Sequence, residues 1–121
     1  MTNLSPNKAD INSANIENRT ALHCAIFEKR VEAVKLLLKY GALVDVCTVH
    51  YRTPLHFVSI IGDETICQIL LNAGADVNKQ DFQGNTPVHY AAFYSKFGVV
   101  FRIHRDIKAF IREESRFINK E

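Results

Sequence analysis

Apolar positions in this chain recur with two periods, one nested in the other. The short period is helical. In "ETICQILLN" (64–72) Ile66, Ile69 and Leu70 share one face, as residues three and four apart do on a helix. The spacing predicts one helix from Pro54 to Ile61 and a second from Glu64 to Asn72. Thr53 followed by Pro54 starts the first, because a side-chain oxygen caps free N–H groups and proline sits where no N–H is needed. Gly74 ends the second, since glycine accepts the left-handed conformation at low cost. The polar stretch "ADVNKQDFQGN" (75–85) then makes a turn before the next threonine.

The long period is 33 residues. Shifted by that length, the chain aligns with itself. Thr20, Thr53 and Thr86 form one column; Leu22, Leu55 and Val88 form another, followed by His23, His56 and His89. "VKLLLKYGALVD" (34–45) lies over "CQILLNAGADVN" (67–78). Ala25, Val31, Val34, Leu37 and Gly41 repeat the plan in an earlier unit, and "KADIN" (8–12) lies 66 residues before "GADVN" (74–78). The expected organisation is a single domain over 1–121: a remnant of a preceding repeat at 8–14, repeats at 15–47 and 48–80, the first half of a third at 81–98, and a divergent cap at 99–121.

"GNTPVHYAA", "RTPLHFV" and "LLNAGADVN" carry a resemblance to the ankyrin-repeat family, and the register holds from residue 8 to about residue 95. The resemblance implies an all-α solenoid of stacked helix–turn–helix units with protruding, β-hairpin-like fingers. It also implies a structural role for Thr20, His23, Thr53, Pro54, His56, Thr86, Pro87 and His89 at the helix starts, and for Gly41 and Gly74 at the helix ends. Ala21 replaces the family proline, and Asn18 and Tyr51 stand where glycine is usual, so those fingers are expected to be shaped differently. At the far end Arg102 and His104 fall in leucine columns and Ile107 replaces the terminating glycine. Without that glycine the last helix need not stop. Val100, Ile103, Ile107, Phe110, Ile111, Phe117 and Ile118 keep a helical stripe, which predicts one helix over 99–118, roughly 30 Å long, with its apolar side covering the end of the stack.

Three evenly spaced histidines invite a metal reading, and the repeat removes it. Equivalent residues of adjacent units stand about 8–10 Å apart, whereas zinc ligands lie roughly 2 Å from one ion. The rings are expected to bond backbone or threonine groups at the helix starts and to join adjacent units. Cys47 and His50 make a short "CTVH" pair, and two ligands alone do not build a structural zinc site. Cys24 and Cys67 sit in apolar columns and read as small core residues, leaving Cys47 as the most exposed thiol. No phosphate loop, His-Glu-x-x-His, nucleophile elbow or partnered carboxylate pair stands in the sequence. No enzyme activity, cofactor or metal is expected.

The net charge of +2 is too small to imply a nucleic-acid or membrane partner for the whole chain. From Val99 onward six basic residues oppose four acidic ones, so the tail carries the entire excess. The polar start "MTNLSPNKAD" is not a signal peptide, and no apolar run approaches the roughly 20 residues of a spanning helix. Three cysteines without framework spacing fit a reducing compartment, which points to the cytoplasm or nucleus.

Binding is read from the columns that face outward. The resemblance places partners on the concave face of fingers and first helices. There Ile16, Val49 and Phe82 align at the finger tips, with His50 beside them and Arg19, Arg52 and Asn85 next. On the first helices Phe27, Ile60 and Phe93 align, then Ile61 and Tyr94. Apolar lines where polar residues would be free of cost point to an interaction surface; the alternative is that these side chains pack within the small stack or against the tail helix. The expected function is a protein–protein interaction module, in its specific form an inhibitor of a signalling or transcription protein. The alternative is a binder of nucleic acid or an acidic partner through the basic tail. With few complete units, the chain is expected to be a monomer or a weak end-to-end dimer.

Overall fold

The computed structural model describes residues 10–118, with side chains described through residue 114. Lys8 and Ala9 of the leading remnant and residues 119–121 of the cap lie outside the described residues. Among the described residues six helices follow one another: α1 (Ala21–Phe27), α2 (Val31–Lys39), α3 (Pro54–Ile61), α4 (Glu64–Asn72), α5 (Pro87–Phe93) and α6 (Phe97–Ile118). They pair as α1 with α2, α3 with α4, and α5 with α6. The pairs stack into two layers, α1–α3–α5 and α2–α4–α6. This is an all-α repeat solenoid.

Both helices predicted in the middle unit have the expected bounds, for the expected reasons. Thr53 caps α3, its Oγ1 accepting from the His56 N–H, and Pro54 follows at the first helical position. Asp63 caps α4 by accepting from the Ile66 N–H at 3.0 Å. The core runs along the stack between the layers. Leu22, Ile26, Leu55, Val58, Ile66, Leu70, Val99 and Ile103 are fully buried, each worth about 1.5–3 kcal/mol of apolar transfer.

The fingers are tight turns rather than hairpin ladders. Among the described residues the one bridge is Ala14 with Thr20. Each finger is closed by the same two backbone bonds: Asn15 N–H to Arg19 O, Thr48 N–H to Arg52 O and Asp81 N–H to Asn85 O at 2.9–3.0 Å, and the N–H groups of Asn18, Tyr51 and Gly84 back to the carbonyls of Asn15, Thr48 and Asp81 at 2.8–2.9 Å. The side chain that opens each finger accepts two more N–H groups, two and four residues on. Asn15, Thr48 and Asp81 all do this.

The expectation that the first two fingers differ in shape is corrected. Asn18 and Tyr51 adopt φ of 59° and 60°, the left-handed turn that Gly84 adopts at 82°. The closing bonds demand that turn whatever residue occupies it. For an exposed tyrosine it is a strained conformation. Tyr51→Gly is therefore expected to stabilise the fold by about 0.5–1 kcal/mol, measured as a rise in urea midpoint with unchanged slope. An unchanged or lower midpoint would show that the turn carries no strain.

The last helix departs from expectation in two ways. It starts at Phe97, two residues early, and so takes Gly98 into its first turn. A Cβ at Gly98 would meet the carboxylate end of the exposed, flexible Glu64 side chain, which would have to turn aside. Arg102 and Arg105 fasten α6 to α4, reaching Gln68 Oε1 at 2.9 and 3.3 Å, and Arg102 also pairs with Glu64 at 3.4 Å. The second departure is coverage. Val99 and Ile103 are buried, but Ile107, Phe110 and Ile111 are exposed. The α4 helix ends at Asn72 while α6 runs for 22 residues, so its far half projects past the helix layer it packs on.

Candidate functional site

The repeated threonine–histidine pair fixes the first helices. Nδ1 of His23, His56 and His89 accepts the N–H of Thr20, Thr53 and Thr86 at 2.9–3.0 Å. The threonine hydroxyls lie 2.8–3.1 Å from the same nitrogens. His56 Nε2 donates across the unit boundary to the Asn85 carbonyl at 2.8 Å. For His23 the equivalent acceptor is the Arg52 carbonyl, which acts on the ring but falls outside good hydrogen-bond geometry. Burial lowers the pKa of both His23 and His56 from the ordinary 6.5, against the opposing pull of their carbonyl acceptors. They are structural, neutral rings.

The arginine of each finger leans over the first helices. The Arg19 guanidinium lies 5.2 Å from the Phe27 ring centre and 5.6 Å from that of Phe57. Arg52 repeats the contact one unit on, 5.6 Å from Tyr90 and 6.0 Å from Phe82. The two differ in their anions. Arg19 pairs with exposed Glu17 at 3.8 Å, a contact worth little in water. Arg52 Nε stands 3.6 Å from Oδ2 of Asp81, whose side chain is wholly buried. Tyr90 donates its hydroxyl to the same carboxylate and receives Arg52 Nη2 at 3.3 Å. Burial alone would raise the Asp81 pKa, but the Tyr90 hydroxyl and the Asn85 and Gln83 N–H groups outweigh it and hold the carboxyl below its ordinary range. Asp81 is the residue that sequence reasoning missed. Arg52, read there as a partner contact, is tied into this buried network.

Around these anchors lie the outward columns. At the tips Ile16 is 96% exposed, and Val49 and Phe82 are about half exposed, the Phe82 ring tilted against that of the exposed His50 with centres 5.3 Å apart. The tips are joined through the backbone, Val49 N–H to Glu17 O at 3.2 Å and Phe82 N–H to His50 O at 3.1 Å. On the helices Phe93 is 79% exposed and makes an edge contact with Tyr94 at 5.0 Å. Phe27 is exposed, whereas Ile60, Ile61 and Asn85 are half-buried.

Cys67 is buried as its apolar column predicts, but the other two thiols do not fall as expected. Cys24 is exposed, Cys47 half-buried and Cys67 buried. Cys24 faces out because no helices precede α1 among the described residues to cover its column, which Phe57 fills one unit on. Burial pushes the Cys67 thiol up to about 12 and raises that of Cys47, so neither is an activated nucleophile. Among the described residues no three His, Cys, Asp or Glu side chains gather as a metal site, and no helix is long and apolar enough to cross a membrane.

A helical solenoid with neutral structural histidines and an aromatic outer face defines a class, the repeat scaffold that presents a surface. Comparison with known proteins supplies the family. The pattern described as "Ankyrin repeats (3 copies)" matches residues 41–106, and the single "Ankyrin repeat" pattern matches 17–49. The chain belongs to the ankyrin-repeat family. It is 37% identical over 78 residues to the E3 ubiquitin-protein ligase KEG of Arabidopsis thaliana, covering 64% of this chain and 5% of that protein. It is 39% identical over 80 residues to human Ankyrin repeat and SOCS box protein 16, covering 65% and 18%. To mouse Rabankyrin-5 it is 34% identical over 100 residues, covering 73% and 9%. The chain thus spans less than a fifth of the length of each of these relatives. Ankyrin repeats generally mediate protein–protein interaction and are typically not catalytic.

Proposed function

We propose that the chain binds a protein partner through the face formed by its finger tips and first helices. The observation that carries this reading is the exposed aromatic and aliphatic line of Phe27, Phe93, Tyr94, Val49 and Phe82, set beside arginines already held in place. Exposed apolar side chains with a polar edge are what an interface core and rim require. Arg19 is the arginine with the weaker internal commitment and is assigned to orientation. Arg52 is assigned to shaping the face. A partner held there is obstructed, which is how a chain of this kind would act as an inhibitor of a signalling or transcription protein.

The test is affinity capture of the partner from cells, followed by measured binding to variants. Phe93→Arg and Ile60→Arg are expected to weaken binding by about 30-fold or more, as anchor losses do. Equal affinity in variants that melt like the parent would remove the claim. A second reading uses α6, whose projecting half carries Lys108 and Arg112 beside exposed Phe110 and Ile111. It requires affinity for an acidic partner or nucleic acid that falls steeply with salt. Binding unchanged between low and physiological salt would eliminate it.

A further inference from the structure

Repetition lets one finger be read against the next. Arg52, on the second finger, has a complete set of partners. Its guanidinium lies 5.6 Å from the Tyr90 ring, faces the buried Asp81 carboxylate at 3.6 Å and donates to the Tyr90 hydroxyl at 3.3 Å. Asp81 divides its labour. Its Oδ1 accepts the Gln83 and Asn85 N–H groups, and its Oδ2 faces Arg52 and Tyr90.

Arg19 stands one unit back in the same column, where the 33-residue register sets Thr48 in place of Asp81 and Phe57 in place of Tyr90. The ring is present: Arg19 lies 5.6 Å from Phe57, and 5.2 Å from Phe27 as well. The acceptors are missing. Thr48 Oγ1 takes over the backbone duty, accepting the His50 and Arg52 N–H groups, but a threonine has no second oxygen to turn toward the arginine. Phe57 has no hydroxyl. Among the described residues the Arg19 side chain donates no hydrogen bond, and its one anion is exposed Glu17 at 3.8 Å.

In place of the missing acceptors is a small hollow of about 30 Å³, walled by Arg19, Thr48, Phe57 and Arg52 and opening beside exposed Val49 and His50. It lies between two neighbouring fingers, so its walls do not depend on where the row of repeats starts or stops. A guanidinium laid against two rings gives up little freedom on taking an anion, and its N–H edges fit a planar carboxylate. Glu17, in water, competes weakly for it.

We infer that Arg19 receives a side-chain carboxylate of the protein partner, an aspartate or glutamate that does for Arg19 what Asp81 does for Arg52. Apolar side chains flank that acid in the partner and rest on exposed Phe27 and Val49. The inference rests on the binding face proposed above and adds the chemistry of what is bound there.

Peptides selected from a random library displayed on phage, with the full chain as bait, supply the probe. They should share an aspartate or glutamate beside aliphatic or aromatic residues. Replacing that acid by its amide should weaken binding to the parent about tenfold, and binding to the Arg19→Gln variant less than about twofold, because there the pair is already broken. Thr48→Asp tests the same point from the other side. It supplies the carboxylate from within, in a turn that accepts aspartate at position 81. The acidic peptides should then lose about tenfold, although the variant melts no lower than the parent. If Thr48→Asp does not fold, the acid-to-amide comparison on Arg19→Gln decides alone.

The outcomes separate this inference from the reading it rests on. It is overturned, and the face stands, if the peptides carry no acid or bind Arg19→Gln like the parent while Val49→Arg or Phe93→Arg weakens them. A folded Thr48→Asp protein that binds the peptides like the parent overturns it too. Peptides indifferent to all three surface variants, or a library that yields none, overturn both.

Discussion

Asp81→Ala is expected to cost the fold about 3 kcal/mol, although Asp81 sits in a finger and not in the core. The carboxylate accepts the Tyr90 hydroxyl and the N–H groups of Gln83 and Asn85, and it faces Arg52. Removing it leaves two finger N–H groups, a hydroxyl and a largely buried guanidinium without their acceptor. Such losses reach 3–5 kcal/mol for fully buried pairs; Arg52 keeps 29% of its side chain in water, which favours the lower end. Thermal melting should fall by more than about 10 °C. Asp81→Asn keeps an acceptor for the backbone and loses the charge, so it should fall between the parent and the alanine variant. Glu64→Ala removes the exposed pair with Arg102 and should cost less than about 1 kcal/mol. An Asp81→Ala protein melting like the Glu64→Ala protein would show that the network does not hold the third finger.

His56→Ala should cost a similar amount, about 3 kcal/mol, through a cavity and a buried Thr53 N–H left unpaired. His89→Ala removes the same helix-start bonds at an exposed position and should cost at least about 1.5 kcal/mol less. Equal effects would mean that the ring acts through its helix start alone and not through the bond to Asn85. The pair also sets the response to acid. His23 and His56 bind protons less readily folded than unfolded, because burial disfavours the charged ring. For His56, moreover, Nδ1 already accepts an N–H and has no room for a proton. Their contribution is complete above the unfolded value of 6.5 and is lost as pH falls below it, by up to about 1.4 kcal/mol per pH unit for each ring. Asp81 is shifted in the same direction, downward, but in a lower pH range. Its contribution holds above the ordinary carboxylate value of 3.8 and fails only as pH drops through its lower folded value. Loss of stability between about pH 6.5 and 5 should therefore become shallower in His56→Ala and keep its slope in Asp81→Asn. Denaturant midpoints across that range would measure both slopes.

These two residues also mark what the sequence made legible. His56 could be read because its work is local. Threonine, proline and histidine stand within four residues and return every 33, so a short-range motif implied a short-range role. The bounds of α3 and α4 were legible for the same reason, with Thr53, Pro54 and Gly74 as punctuation. Asp81 was not legible, because its partners lie 29 residues before it and nine after it, in unlike columns. A signal was present: Asn15, Thr48 and Asp81 share one column, and all three can accept N–H groups two and four residues on. That column predicts the turns, and with them the left-handed Tyr51. It does not predict that the third member would bury its charge. The reach of α6 was legible from the missing glycine, but its early start was not. A glycine near a helix start reads as a break, whereas here it is the second residue of the helix. Cys24 was misplaced because its column is apolar throughout, and a column cannot say which of its members stands at an open end.

The bonds between finger tips carry a further consequence. Glu17 to Val49 and His50 to Phe82 are linked main chain to main chain. The pitch of the row is thus written in peptide groups, which every residue except proline supplies alike. Side chains at 16, 49, 50 and 82 can then be exchanged without moving their neighbours, as type is reset in a fixed frame. A library randomised at those positions should yield folded members in high proportion, each with a different vocabulary on the same line.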